Sequence, residues 1–306
     1  MHATRKLWTW LAVICVLSFA ALGWVGTEIY VSAPPIPKAV VSSTGDTLFA
    51  EGSVQRGQEA WLAAGGQQLG SVWGHGSYLA PDWSADWLHR EAIALREIRA
   101  QQQHGTGYAH LQAGQQAALD AELKTEMRRN THDAAINVIT LSAERAEAVK
   151  QVARHYADLF GDEASLAGLR EQYAMLPGVL KLSEDREALS AFFFWSAWSA
   201  TTDRPGETGL SYTSNWPHEP LVGNTPTAGT GIWSIASVIL MIGAIAFMIF
   251  FHSRHEESDP VPPKADPLFS LKPTPSMLAT RKYFFVVIAL ILAQVGMGVL
   301  TAHYAV

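Results

Sequence analysis

Apolar residues run unbroken for about a bilayer's thickness in three places, and the long polar interval after the first carries stripes at helical spacing. Leu7 to Gly26, Ile232 to Phe251 and Tyr283 to Thr301 each approach the roughly 20 residues that cross a hydrocarbon core of about 30 Å. None contains Asp, Glu, Lys or Arg. Between the first two, apolar side chains recur three and four apart, which marks one buried helix face. Leu88, Leu95 and Ile98 belong to a helix that Ser84 can cap and that runs to about Gln103. Leu119, Leu123 and Met127 mark a second by their spacing of four. Val149, Val152, Tyr156 and Phe160 form a third between a Ser142 cap and Gly161, and Leu189, Phe192, Phe193 and Trp195 a fourth that begins at Ser183. Stripes of this kind predict packed core rather than a cofactor box. A shorter helix fits Ser53 to Ala64, and no long run alternates with period two, so the predicted fold class is mainly α.

Glycine and proline mark the joints. Pro34, Pro35 and Pro37 force an extended exit from the first apolar helix, because proline lacks an amide donor and restricts its predecessor. The folded domain is expected to start near Ser43, with residues 44 to 80 read as glycine-rich turns and loops around the short helix. Residues 203 to 230 are irregular, and Tyr212 and Trp216 in them suggest docking on other protein or on the membrane interface. Pro260, Pro262, Pro263, Pro267, Pro273 and Pro275 favour an extended connection between the last two apolar segments. The expected division is therefore an anchor over 1–30, an outer domain with its connecting segment over 31–230, a second span over 231–252, a loop over 253–282 and a third span over 283–306.

Charge orients these pieces. Arg5 and Lys6 precede the first span, and Arg254, Lys264, Lys272, Arg281 and Lys282 lie in the short loop, so both regions are expected on the cytoplasmic side by the positive-inside bias. Residues 27 to 231 then lie outside, and His303 returns to the outer face. A cleaved signal peptide is the alternative for the first span, since Val31-Ser32-Ala33 offers a small residue for cleavage. The length of the apolar run and Trp8, Trp10 and Trp24 near its ends favour an anchor. A mean hydropathy of +0.07 and 48% hydrophobic residues in 306 agree with membrane segments. The only cysteine, Cys15, falls inside the first span. The outer region can therefore form no disulfide and no covalent haem attachment of the Cys-x-x-Cys-His kind. The net charge of −6 comes without a basic stripe, which argues against a nucleic-acid partner.

The densest candidate chemistry lies in Ser71-Val72-Trp73-Gly74-His75-Gly76-Ser77-Tyr78 through Asp82-Trp83-Ser84-Ala85-Asp86-Trp87-Leu88-His89-Arg90-Glu91. His75 between two glycines is either a ligand, because glycine lets backbone approach a partner closely, or the buttress of a tight turn. The absence of a nearby cysteine or a suitably spaced second histidine favours the buttress. His89 and Glu91, two apart on a helix, do not face each other. Asp82 and Asp86 could share a helical face and bind a cation, but capping and the positive helix start account for both. Gly296 and Gly298 permit close helix packing, and Gln294 can bond a neighbouring helix.

This block resembles the extracytoplasmic segment of single-chain, quinol-dependent nitric oxide reductases, members of the haem-copper oxidase superfamily. Phe192-Phe193-Phe194-Trp195-Ser196-Ala197-Trp198, Tyr212-Thr213-Ser214-Asn215-Trp216-Pro217 and Leu221-Val222-Gly223-Asn224 carry the resemblance onward. It implies a mainly α chain with three transmembrane helices and an extracytoplasmic, cytochrome c-like helical domain without haem, in a bacterial inner membrane with the domain facing the periplasm. It also implies that the chain is the N-terminal portion of the enzyme, inactive alone, whose parent reduces nitric oxide to N2O with electrons from membrane quinol. The parent's haem b and non-haem iron would be held by remaining catalytic-core helices, since no ligand set for them stands here. Ala302-His303-Tyr304 matches the family's quinol-associated pattern in its first part, which makes His303 the candidate quinol-binding residue. The carboxylate of that pattern would stand just past Val306. A histidine can exchange a hydrogen bond with a quinol hydroxyl and take its proton.

The rival reading is a membrane-anchored extracytoplasmic sensor or scaffold, a class in which a folded domain also lies between membrane segments. The short, proline-rich loop and the return of the chain outward separate the two, since a sensor continues into a cytoplasmic signalling module.

Overall fold

A helix apolar on every side has no solvent face to offer, so it either crosses a membrane or is wrapped by its own domain. This computed structural model, which describes residues 2–256 and 275–304, holds helices long and apolar enough for the first and one helix that takes the second. The chain falls into two units, Met1–Thr227 and Ala228–Val306.

The first unit opens with α1, His2–Val31, whose described side chains are exposed along its length. The hydroxyls of Thr9 and Thr27 donate to the carbonyls of Arg5 and Gly23, each at 2.9 Å, so these two polar groups are satisfied within the helix. After the proline run come β1 (Ala39–Ser42), β2 (Thr47–Phe49), α2 (Ser53–Ala63), α3 (Trp83–His104) and α4 (Ala113–Arg128). Then follow β3 (His132–Asp133), β4 (Val138–Leu141), α5 (Ala143–Phe160), α6 (Ala167–Gln172) and α7 (Ser183–Thr201). The strands form one sheet in the order β2-β1-β4-β3, with β1 parallel to β4 in the register Val40↔Ile139 and the outer pairs antiparallel. A parallel pair needs a long crossover, supplied here by α2, α3 and α4.

Most helix boundaries agree with the periodicity, with one correction. Ser142 caps α5 by accepting from the amide of Arg145, and the stripe Val149, Val152, Tyr156 and Phe160 is buried. Leu119, Leu123 and Met127 are buried along α4. The cap of α3 is Asp82 rather than Ser84, because its carboxylate accepts the amide of Ala85 and the helix begins at Trp83. The small sheet and the six-residue α6 are the elements the pattern does not predict: the strands are too short for a period to be counted, although β1 and β4 each bury alternate residues.

α7 is the wrapped helix, with every residue from Ala188 to Thr201 buried. Its serine hydroxyls stay paired inside the apolar surroundings. Ser190, Ser196 and Ser199 donate to the carbonyls of Arg186, Phe193 and Trp195 at 3.0, 2.9 and 2.7 Å. Around it pack Trp83, Trp87, Tyr156 and Phe160, all fully buried, with Trp83 stacked on Phe193 at 5.5 Å and Trp87 stacked on Tyr156 at 5.2 Å. Each large aromatic hides roughly 150–250 Å², or about 4 to 6 kcal/mol at ~25 cal/mol/Å² before entropy is counted. α2 crosses α7 at Gly57, where a Cβ would lie 1.9 Å from the carbonyl oxygen of Ala188 and 2.7 Å from the Cβ of Phe192.

The second unit holds α8 (Ala228–Glu256) and α9 (Pro275–Tyr304). Among the described residues, two segments are long and apolar enough to cross a membrane, Trp8–Val31 of α1 and Gly231–Phe251 of α8. The sequence predicts three. The third, Tyr283 to Thr301, falls on α9, where side chains from residue 297 onward lie outside the described residues. The expected extended loop over 253–282 is described only at its ends: residues 253–256 continue α8, and 275–282 already belong to α9.

The contact at Gly57 gives a first test. Gly57→Ala is expected to destabilise the domain by about 1 to 3 kcal/mol, the usual range for overpacking, since the obstacle is backbone that cannot step aside. Urea unfolding followed by tryptophan fluorescence reads it, and an unchanged midpoint would mean that α2 does not touch α7 there.

Candidate functional site

Asp82 organises the glycine and aromatic block. One carboxylate oxygen accepts the hydroxyl of Ser71 at 2.7 Å and the amide of Gly74 at 2.6 Å. The other accepts the Ser84 hydroxyl and, at 3.0 Å, the amide of Ala85. The Ser71 hydroxyl accepts the amide of Gly76 at 2.7 Å, and the Trp83 amide donates to the Ser71 carbonyl at 2.8 Å. A single carboxylate thus closes the loop and caps α3, a use of Asp that its short acceptor arm suits. Gly76 needs to be glycine, with φ +84 and the Ala80 carbonyl 2.9 Å from where a Cβ would stand.

The tryptophans tie this loop to distant chain. Trp73 donates from Nε1 to the carbonyl of Ser196 on α7 at 2.7 Å, and Trp216 donates to the carbonyl of Gly74 at 3.0 Å. His75 meets the Trp216 ring edge-on at 4.7 Å. The irregular segment 203–227 therefore docks on its own domain, as far as Tyr212 and Trp216 are concerned, and Tyr212 packs on Trp198 at 5.6 Å. Arg128 at the end of α4 holds the segment's turns, donating to Asp203 at 2.6 Å, to the Asn215 side chain at 3.1 Å and to the Asn224 side chain at 3.4 Å.

The charged candidates separate as helix geometry requires. His89 reaches outward to Glu219, Nδ1 to Oε2 at 2.8 Å, while Glu91 is fully buried. Glu91 accepts Nε of Arg145 at 2.7 Å and Nε1 of Trp87 at 2.8 Å. Asp86 accepts Nε of Arg90 at 2.7 Å and the Tyr156 hydroxyl at 2.6 Å. Burial, then the charge and hydrogen bond of Asp86, push that hydroxyl well above its ordinary range, with Arg90 opposing. Asp82 and Asp86 are thus committed to protein donors. Among the described residues no three His, Cys, Asp or Glu side chains stand close enough to hold a metal. His303 lies near the end of α9, its side chain outside the described residues.

The interior can be tested for a haem. Covalent attachment needs a thiol pair, and the chain's single cysteine is in α1. Trp83, Trp87, Phe193, Phe194, Tyr156 and Phe160 fill the centre of the domain, each buried. These residues do not fit a covalently held haem.

Sequence reasoning missed the Glu91–Arg145 pair, which joins α3 to α5 inside the core. A signal for it exists, because Glu91 falls on the same face as Trp87, Leu88 and Leu95, all buried. A charge in a core stripe requires a partner.

A helical domain with a small sheet and a tryptophan-stitched loop shares this chain with two apolar segments long enough to cross a bilayer, as in a membrane-anchored protein. The chain belongs to the NorB family of nitric oxide reductase, whose cytochrome c-like domain matches residues 37–218. That span includes the whole loop built on Asp82 and ends beside Pro217. No individual curated protein matches the chain. The family relates the chain to the oxidoreductases.

Asp82→Ala is expected to cost about 2 kcal/mol or more, since loss of a helix cap alone costs roughly 0.5–2 and buried amides lose their acceptor with it. Ser84→Ala removes two bonds, the hydroxyl's donation to Asp82 and its acceptance of the Trp73 amide at 3.0 Å, and should cost less than Asp82→Ala, which removes four. Chemical denaturation of both variants checks the order; equal losses would mean that Asp82 is not the hub.

Proposed function

We propose that the chain is the N-terminal portion of a quinol-dependent nitric oxide reductase of a bacterial inner membrane, anchored by its apolar helices with the helical domain in the periplasm. The observation that carries the reading is the family match over residues 37–218. The parent reaction joins two NO molecules, two electrons and two protons into N2O and water, and oxidation of one quinol to quinone supplies both electrons and both protons. Haem b and non-haem iron on the remaining core helices would bind and reduce the NO. The isolated chain is expected to be inactive.

The domain's thiol-free sequence and aromatic centre support a haem-free outer domain. Such a domain has no redox centre with which to relay electrons from a soluble cytochrome, and this favours entry from the membrane. A pyridine haemochrome assay on the outer domain is expected to be blank, and a covalent haem spectrum would overturn that part of the reading.

His303 is proposed to hydrogen-bond the quinol and accept its proton. In the full-length enzyme, His303→Ala should remove one bond, costing about 0.5 to 3 kcal/mol, or roughly twofold to hundredfold in quinol use. NO consumption driven by an artificial donor that reduces the haems directly should survive. Equal loss with both donors would assign His303 to folding or to the metal centre, and NO consumption with cytochrome c but not with quinol would refute the quinol-dependent assignment.

A further inference from the structure

A cleft of ≈ 730 Å³ lies where the end of α4, strand β4 and the start of α5 meet, and three arginines line it: Arg99, Arg129 and Arg145. Arg145 is buried to 1% exposure. Its Nε is committed to Glu91, but its Nη2 is buried without a hydrogen-bond partner among the described residues. Arg99 repeats the pattern. It pairs through Nη2 with Glu126, while its Nη1 is buried and unpartnered. The hydroxyl of Thr131, also in the lining, is a third buried group with no partner. Buried guanidinium nitrogens are rarely left unpaired, because the desolvation they suffer is recovered only through a charged or strongly polar acceptor.

The electrostatics agree. Burial pushes the Arg99 guanidinium below its ordinary value, with Glu122 and Glu144 opposing and the adjacent Arg145 adding to the fall. The cleft also receives the N-terminal end of α5, whose unsatisfied amides carry partial positive charge. Its own carboxylates have partners: Glu126 accepts from Arg99 and Ser142 within the lining, and Glu122 accepts Nε2 of Gln103 at 3.1 Å. Arg129, exposed at the rim, has no ion-pair partner among the described residues.

We infer that this cleft is a binding site for an oxyanion, a phosphoryl or carboxylate group carried by a small molecule, toward which the Arg99 and Arg145 guanidinium groups and the Thr131 hydroxyl turn when it enters, with Arg129 at the entrance. Guanidinium forks match the geometry of such groups, and charge-assisted bonds are the strong ones. The volume lies within the range of small-molecule sites, so the ligand extends past its anionic head. The site is independent of the quinol reading, and it sits on the outer domain.

The full chain in nanodiscs of zwitterionic lipid is titrated calorimetrically with sodium phosphate and with sodium succinate, against sodium chloride at matched ionic strength. Saturable binding of phosphate, succinate or both is expected, and which of them binds distinguishes a phosphoryl from a carboxylate ligand. Arg99→Gln should weaken it about tenfold or more, the worth of a charge-assisted bond, and Arg129→Gln less. Arg145 is left intact because its removal would strand Glu91. Thr131→Val is the second variant should Arg99→Gln fail to give the wild-type circular dichroism, and a weakening of binding by about threefold is expected of it. Binding of neither anion above the chloride control, or binding unchanged in the folded variants, overturns the assignment.

Discussion

The burial of α7 on all sides is the constraint from which the rest of the folded domain follows. A helix that turns Phe, Trp and Ala toward every neighbour must be enclosed, and α2, α3 and α5 are the walls. The enclosure is tight enough on one side that only glycine fits at position 57. On another side it is aromatic, with Trp83 and Phe193 in stacked contact. The loop built on Asp82 closes the remaining approach through Trp73, whose indole reaches the α7 backbone at Ser196. The sheet is subsidiary: it joins the two ends of a crossover whose purpose is to wrap the central helix.

Much of this architecture is legible in the chain because helices announce themselves by period. The stripe Val149 to Phe160 and the cap at Ser142 can be read directly, as can the four-residue spacing on α4. The strands cannot, since two to four residues carry no countable alternation, and the central pair, β1 with β4, joins residues about a hundred apart. The cap of α3 stands two residues before the expected one for a related reason. Ser84 and Asp82 are both good caps by residue type, and only the backbone shows whose oxygen reaches the free amides. Tyr212 and Trp216 dock, but on the chain's own domain rather than on another protein or the membrane interface, because their partners, Trp198 and His75, lie on other elements that local pattern does not connect.

The candidate site is less legible than the fold. Motifs point to the glycine and aromatic block, and the structure makes it a closed hub in which the acidic groups serve helix and loop rather than a ligand. The unsatisfied chemistry lies elsewhere, in Arg99 and Arg145, whose helices give no sign in sequence that their guanidinium groups converge. Their meeting depends on the packing of α3, α4 and α5 together, a tertiary fact. His303 is the opposite case, a residue singled out by motif alone.

The segment between α1 and β1 has a mechanical consequence. Residues 32–38 carry three prolines, and the Pro35 carbonyl accepts Nε1 of Trp195 on α7 at 2.8 Å. Fully extended, seven residues reach at most about 25 Å, and the tryptophan pins the middle of that reach to the domain's central helix. With α1 in a bilayer, the domain is therefore mounted on a short strut rather than hung from a tether. A tilt of the anchor would be delivered as torque at Trp195, to the helix that every other wall of the domain leans upon.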